Sequence, residues 1–282
     1  MASRKEQKEQ ARADRLAKEQ ELAAKAGRAR RFQIFGGVVA AAVIVIVVAI
    51  VVSSGGGGKT VIPNSPAATA AKLHVDSLLA GIPQSGETLG KSSAPITITE
   101  YGDLECSVCD VLATPASFTN PEGESGSGWE DELISQYVRT GKAKLVYKSL
   151  ETASGSNPDQ NAFEQQQVAA EAAGLQGKAW DYIELMYNEQ GQEDTGYVTE
   201  SYLESLAKQI PGLDFKKWMS DRNLASLKQM LTTEGQEGSA VDGGQGSTPT
   251  IVIAGPGGKS QPIVGLPSSG YSAYVSAINA AS

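Results

Sequence analysis

The two cysteines of this 282-residue chain, Cys106 and Cys109, lie three residues apart in the sequence Cys-Ser-Val-Cys. A bridge between them would close a very small loop, so it would restrict the unfolded chain little and is a poor structural staple. A structural zinc site needs four ligands, and the chain offers these two thiols and one histidine, His74. The spacing therefore predicts a redox-active dithiol without a bound metal. An inert buried pair, or a metal site completed by another chain, is the alternative.

The elements around the dithiol predict that the two thiols differ. Residues 96–101 alternate apolar and polar side chains as a strand does, and the motif follows directly. Cys106 is thereby expected at the start of a helix, where free N–H groups and the helix dipole favour a thiolate. Cys109, one turn further on, falls on the same helical face and deeper in the protein. We expect Cys106 to be the nucleophile and Cys109 the resolving thiol, with no cofactor beyond the Cys106–Cys109 disulfide.

Alternation and helical spacing predict the remaining elements. Further strands are expected at residues 143–148, 250–254 and 259–264, the last two as a hairpin. Helices are expected at residues 129–140, 161–174, 178–190, 199–209, 223–237 and 271–280. The order is strand, dithiol helix, strand, helical block, hairpin and helix. It predicts an α/β protein, a thioredoxin fold with an inserted all-helical subdomain at about residues 158–240.

The N-terminal part carries a membrane signal. Residues 34–52 contain no charged side chain, and a helix of that length spans roughly 28 Å, close to the hydrocarbon thickness of a bilayer. Ten of the first 31 residues are lysine or arginine, whereas residues 53–58 carry no charge. The positive-inside rule then places a leader, residues 1–33, in the cytoplasm and the chain after residue 52 outside it. A cleaved signal peptide is the alternative, but the apolar run is long for one and no clear cleavage site follows.

Beyond the predicted transmembrane helix, residues 53–72 are expected to be a flexible tether and residues 73–282 a single domain. The net charge of the chain is −8, and because the leader is basic the outer part is more acidic still. This charge argues against a nucleic-acid partner. An extracytoplasmic compartment is also where dithiols can be oxidised and used as oxidants.

Four stretches of the chain resemble the DsbA-like thiol–disulfide oxidoreductases. They are residues 81–90, 94–109, 141–147 and 247–252, and the resemblance spans roughly residues 78–280. It implies a membrane-anchored enzyme that exchanges disulfides with exported client proteins, most readily as an oxidase, and by analogy a membrane-embedded redox partner. A reductase and a non-catalytic peptide-binding or chaperone module remain the alternatives. Relatives commonly have proline and then histidine or tyrosine between the cysteines, whereas Ser107 and Val108 stand here, so the direction of electron flow stays open.

The resemblance also implies roles for residues outside the dithiol. The bond between Thr248 and Pro249 would be cis and its loop would bind an extended client segment, although Pro249 alone could simply begin a strand. Glu100, on the strand before the motif, would relay the proton of the resolving thiol. Asp103 and Glu105 are equally near charges, and a solvent-facing carboxylate is the alternative for Glu100.

Other notable residues are expected to be structural. His74 is predicted to lie outside the core with no catalytic role. The three tryptophans are predicted to pack in the core or between helices rather than to line a client groove. They are Trp129, Trp180 and Trp218. Pro115 should end the dithiol helix, and the Gly- and Ser-rich residues 120–128 should form a surface loop beside it.

Overall fold

The computed structural model describes residues 65–282, which contain a seven-stranded mixed sheet and nine α-helices. The strands are β1 (Gln84–Ser85), β2 (Thr88–Leu89), β3 (Ile96–Gly102), β4 (Ala143–Ser149), β5 (Thr250–Gly255), β6 (Gly258–Lys259) and β7 (Ile263–Val264). The helices are α1 (Pro66–Leu79), α2 (Ser107–Ala113), α3 (Trp129–Leu133), α4 (Ala162–Gly174), α5 (Ala179–Asn188), α6 (Glu200–Ala207), α7 (Phe215–Asp221), α8 (Ala225–Val241) and α9 (Ser272–Ala281).

The sheet order brings the ends of two central strands together. Neighbours follow the order β1-β2-β4-β3-β5-β6, with β7 also paired to β5. β3 runs parallel to β4 and antiparallel to β5, and its last pair with β5 joins Tyr101 to Thr250. The carboxyl end of β3 therefore lies beside the start of β5. This register places the dithiol motif, which follows β3, next to the Thr248–Pro249 loop, which precedes β5.

The central strands turn a buried face toward the core. β3 keeps Ile96 and Ile98 almost fully buried, and β4 alternates strictly, with Ala143, Leu145 and Tyr147 turned inward. This is the pattern of strands that pack against helices. Helices α4 to α8 lie between β4 and β5 in the chain and form the helical insertion. The prediction of a thioredoxin fold with an all-helical insertion is confirmed.

Three expectations about individual elements were wrong. The tether predicted for residues 53–72 extends too far, because helix α1 begins at Pro66. Ser65 caps this helix by accepting a hydrogen bond from Ala68 N. Pro66 lies in the first turn, where a missing backbone N–H breaks no hydrogen bond of the helix. The strand predicted at residues 259–264 is divided into β6 and β7, which pair separately with β5 around Pro262.

The third wrong expectation is the helix predicted at residues 129–140. It is α-helical only to Leu133 and continues as a π-helix over Ile134–Val138. Two elements carried no strong periodic signal and were missed, namely helix α7 and the short hairpin of β1 and β2.

The N-terminal expectations lie outside the described residues, namely the leader, the apolar run at 34–52 and the tether up to residue 64. From residue 65 to the C-terminus, none of the helices combines the length and the apolar character that crossing a membrane would require.

Candidate active site

Cys106 lies where the chain passes from β3 into helix α2. It is the N-cap residue of that helix, with an extended backbone, and 6% of its surface is exposed. Its Sγ lies 3.6 Å from the carbonyl oxygen of Thr248. The bond between Thr248 and Pro249 is cis, as the resemblance implied. The thiol is therefore largely buried, with a small exposed fraction, beside the backbone segment that leads into β5.

Cys109 lies behind Cys106 in the interior. It is completely buried, and neither cysteine is in a disulfide in this structure. A hydrogen bond from its thiol lowers the pKa of Cys106 below the ordinary value, against the opposing effect of burial and with help from the Thr248 side chain. Burial, together with donation to Cys106, raises the pKa of Cys109. The two thiols of one helix turn therefore have opposite pKa shifts, as a nucleophile and a resolving thiol require.

Glu100 lies beneath the dithiol on β3. It is 1% exposed, and burial raises its pKa to about 7. It is among the charged groups that raise the pKa of Cys109. The position agrees with the proton-relay role that the resemblance implies, since a carboxyl group with a near-neutral pKa can both give and take a proton at physiological pH.

The two alternative acids have other partners. Asp103 is fully buried and accepts hydrogen bonds from the N–H groups of Thr152 and Ser154, each at 2.9 Å. Asp103 thus ties the loop after β3 to the start of the helical insertion. Glu105 is held by the side-chain amide of Asn157 at 2.6 and 2.8 Å. Neither arrangement directs a carboxyl group at the buried thiol.

Sequence reasoning missed Glu130, which faces Glu100 from helix α3. Glu130 is 1% exposed, and among the described residues no N–H or O–H group donates to either of its oxygens. Its carboxyl group lies within hydrogen-bonding reach of that of Glu100. An acid in the first turn of a helix ordinarily offsets the helix dipole at the surface, so nothing in the local sequence distinguished this buried one.

A second missed residue, Glu193, contacts the start of the dithiol helix. Its Oε2 accepts a hydrogen bond of 3.0 Å from the N–H of Ser107. The backbone N–H of Glu193 in turn donates to Oε1 of Glu122 at 2.8 Å, which joins the Gly- and Ser-rich loop to the loop after α5. The Glu193 carboxylate therefore accepts a hydrogen bond from one of the N–H groups that were expected to favour the Cys106 thiolate.

The residues predicted to be structural lie as expected. Trp180 and Trp218 are fully buried and donate to backbone carbonyl groups, while Trp129 is partly buried against Tyr274. His74 lies on α1, outside the hydrophobic core, with its Nε2 3.3 Å from Oδ1 of Asp131. The dithiol helix ends at Ala113, before Pro115.

A second acidic cluster lies elsewhere in the described part of the chain. The carboxylate oxygens of Glu87, Glu171 and Glu234 lie within 4.8 Å of one another. Burial, followed by the neighbouring carboxylates, raises the pKa of Glu87 to about 10 and that of Glu171 to about 8. Spacing of this kind could hold a cation, and the raised pKa values of Glu87 and Glu171 favour protons as the alternative.

The site at the carboxyl end of β3 has three parts. It contains a dithiol at the start of a helix, a cis-proline loop beside the dithiol and a buried acid beneath it. This combination defines a thioredoxin-fold protein with a dithiol site. A family model described as thioredoxin matches residues 84–259, so the chain belongs to the thioredoxin family.

Known relatives and structures agree with this assignment. The chain is 25% identical over 154 residues to the probable disulfide bond formation protein D of Bacillus cereus, covering 52% of this chain and 61% of the relative. It is 24% identical over 151 residues to the protein of the same name from Bacillus anthracis, covering 51% and 59%. The chain thus spans less than two thirds of these curated relatives. Oxidised BdbD of Bacillus subtilis superimposes with a TM-score of 0.52 at 17% identity, covering 70% of this chain and 94% of that one, which shows a shared fold.

Proposed function

We propose that this protein is a thiol–disulfide oxidoreductase that forms disulfide bonds in exported proteins. The observation that carries the proposal is the placement of the two thiols: Cys106 lies at the start of helix α2 beside the cis-proline loop, and Cys109 is fully buried behind it. A client thiolate attacks Cys106 of the oxidised pair, and Cys109 leaves and takes up a proton. A second client thiolate then attacks the mixed disulfide, and Cys106 leaves as a thiolate. The client gains a disulfide, and the enzyme is left as a dithiol.

The direction of the reaction follows from the stability of the Cys106 thiolate. A lowered pKa at the nucleophile stabilises the reduced enzyme and makes its disulfide more oxidising. The relatives named disulfide bond formation protein D support the same direction. Reoxidation requires a further partner, which we propose to be a membrane-embedded redox protein. The dithiol needs no other cofactor.

The client would bind beside Cys106. The loop of Thr248 and Pro249 offers a backbone edge 3.6 Å from the reactive sulfur, so an extended client segment could pair there while its cysteine meets Sγ. We assign this loop to client binding, Cys106 to nucleophilic attack, Cys109 to resolution and Glu100 to proton transfer.

We also propose that residues 34–52 anchor the protein in the cell membrane, with the leader in the cytoplasm and the catalytic domain outside. The charge-free run and the basic leader support this topology. Alkaline extraction of membranes and protease treatment of intact cells test it. Retention of the chain in the membrane, with residues after 64 accessible from outside, is expected; release by alkaline extraction would contradict anchoring.

The test of the activity is oxidative refolding of a reduced, disulfide-containing client. The wild-type chain, oxidised beforehand, should accelerate disulfide formation, whereas the Cys106→Ser variant should be no faster than buffer. If the variant works as well as the wild type, the domain acts as a peptide-binding module and the proposal fails. Lys259→Gln serves as a control that should keep full activity. Lys259 pairs with Ala254 at the end of the sheet opposite to the dithiol motif.

A reductase is the second candidate function, favoured by the Glu193 carboxylate at the start of the dithiol helix, which opposes a thiolate there. Equilibration with glutathione separates the two. A reduction potential well above roughly −200 mV is expected for the oxidase, whereas a value near about −270 mV would establish a reductase.

A further inference from the structure

Cys106 keeps a small exposed fraction, whereas Cys109 has none, and the buried thiol needs a route for protons. Cys109 has no exposed surface, yet it must take up a proton when it leaves as a thiolate and lose one when the disulfide forms again. Glu100, the acid that acts on its pKa, is itself 1% exposed and cannot exchange protons with water directly. A further group must connect Glu100 to solvent.

Glu130 has the surroundings of a proton-carrying group. Both of its oxygens lack a donor among the described residues, and its carboxyl group faces that of Glu100. Burying two adjacent carboxylates without a cation is strongly unfavourable, so the pair retains a proton that either group can carry. Burial, with the neighbouring Glu100, raises the pKa of Glu130, which favours its protonated form.

The groups facing this pair come from four helices and from strand β4, which contributes Tyr147, while Tyr187 faces it from α5. Cys109 faces it from α2, Asp131 from α3, Glu184 from α5 and Tyr274 from α9. The Glu184 carboxylate and the Tyr274 hydroxyl are buried and have no hydrogen-bond partner in the described part of the chain. None of these groups is a cation, so a proton is the positive charge that this pocket can hold.

The next residue along α3 reaches the surface. The side chain of Asp131 is 22% exposed, and that of His74, whose Nε2 lies 3.3 Å from Asp131 Oδ1, is 28% exposed. Asp131 is also among the charges that act on Glu130. Asp131 and its partner His74 therefore place two partly exposed polar side chains next to the buried Glu130.

We propose that Glu130 is a proton-transfer residue of this site, which shares a proton with Glu100 and links the buried Cys109 thiol to solvent at Asp131 and His74. The proposal rests on the proposed thiol–disulfide exchange. When a client thiolate attacks Cys106, the Cys106–Cys109 bond breaks and its electron pair goes to Cys109. The Cys109 thiolate takes the proton of Glu100, Glu100 recovers one from Glu130, and Glu130 is reprotonated from solvent. Reoxidation runs the same transfers in reverse.

The experiment measures how fast dithiothreitol reduces the oxidised full-length chain across a range of pH, followed by acid quenching and alkylation of the free thiols. Glu130→Gln keeps the shape of the side chain but cannot pass a proton on. It should slow reduction by about tenfold near neutral pH, since general acid catalysis of this kind typically contributes 10²–10⁴-fold and part of it survives in Glu100. It should also flatten the dependence of the rate on pH. Glu130→Asp, which keeps a titratable group, should recover part of the rate.

A double-mutant cycle separates a relay from a structural effect. Because the two acids act in series, Glu130→Gln should add less than about twofold in a Glu100→Gln background. The matched control is Glu171→Gln, which removes a buried carboxyl group with a raised pKa that faces other carboxylates rather than a cysteine. It should leave the rate and its pH profile unchanged.

Three outcomes would overturn the relay. They are an unchanged rate and pH profile in Glu130→Gln, fully additive effects in the double variant, or an equal loss in Glu171→Gln. If Glu130→Gln does not fold, as judged by its circular dichroism, Glu130→Asp decides the question: the shortened side chain should still slow reduction, and a rate equal to that of the wild type contradicts the relay. The proposed function fails separately, if the wild-type chain forms no Cys106–Cys109 disulfide that dithiothreitol can reduce.

Discussion

The dithiol has an outer face at Cys106 and an inner face at Cys109, and the surroundings of the two faces differ although the two side chains are identical. On the outer face, Cys106 lies at the start of a short helix, and a hydrogen bond from the Cys109 thiol lowers its pKa. On the inner face, Cys109 meets Glu100 in a pocket without a cation. Two identical side chains one helical turn apart therefore differ in their favoured form: Cys106 is stabilised as a thiolate and Cys109 as a thiol. Reactivity in this motif comes from the contrast between the two environments.

The strongest way to break this comparison is to remove each sulfur in turn. With a client disulfide, Cys109→Ser should accumulate a mixed disulfide through Cys106, because nothing remains to resolve it. Cys106→Ser should form such an adduct at least roughly 100-fold more slowly, because the remaining thiol is buried and protonated. Non-reducing electrophoresis after acid quenching measures both. Equal rates of adduct formation would show that the two faces are equivalent.

A second test concerns the inner face alone. The folded-state pKa of Glu100 is raised from 4.5 to about 7, so its contribution to stability is fully present below about pH 4.5 and is lost as the pH rises through 7. Glu100→Gln removes this dependence. The difference in free energy of unfolding between variant and wild type should therefore change, in favour of the variant, by roughly 3 kcal/mol between about pH 4 and pH 8.

Denaturant unfolding of the reduced proteins at several pH values measures that difference. The pKa of the Cys106 thiol provides the internal control, since it belongs to the outer face and should stay within a few tenths of a unit. A free-energy difference that is constant with pH would mean that Glu100 ionises in the folded protein as it does in water.

The smallest expected effect concerns the outer face. Glu193 accepts from Ser107 N, and a carboxylate at a helix N-terminus competes with a thiolate for the same N–H groups. Glu193→Gln should lower the pKa of Cys106 by about half a unit, because a charge at a helix end contributes about 0.3–1 kcal/mol. The ultraviolet absorbance of the thiolate during a pH titration measures it.

Asp194→Asn is the matched control for that variant. It removes the same charge from the adjacent, exposed residue, which does not accept from Ser107, so the pKa of Cys106 should change much less. If both variants shift the pKa equally, the influence of Glu193 is only a long-range effect of net charge rather than a contact with the helix.

Much of the fold was predictable because its elements carry local patterns. Strand alternation identified β3 and β4, and helical spacing identified four of the five helices of the insertion to within a few residues. The failures also have local causes. Helix α7 is too short to show a period, and the strand expected across Pro262 is interrupted because proline cannot donate to the ladder.

The sequence by itself determined the dithiol, the strand that leads into it and the proline loop, because each is a short motif whose chemistry depends on neighbouring residues. Only the tertiary structure brought Glu130 to Glu100 and Glu193 to Ser107, across separations of 30 and 86 residues. The sign of each thiol pKa shift was decided in the same way. Burial and contacts between distant segments set the cost of a charge, and no local pattern in a chain reports on them.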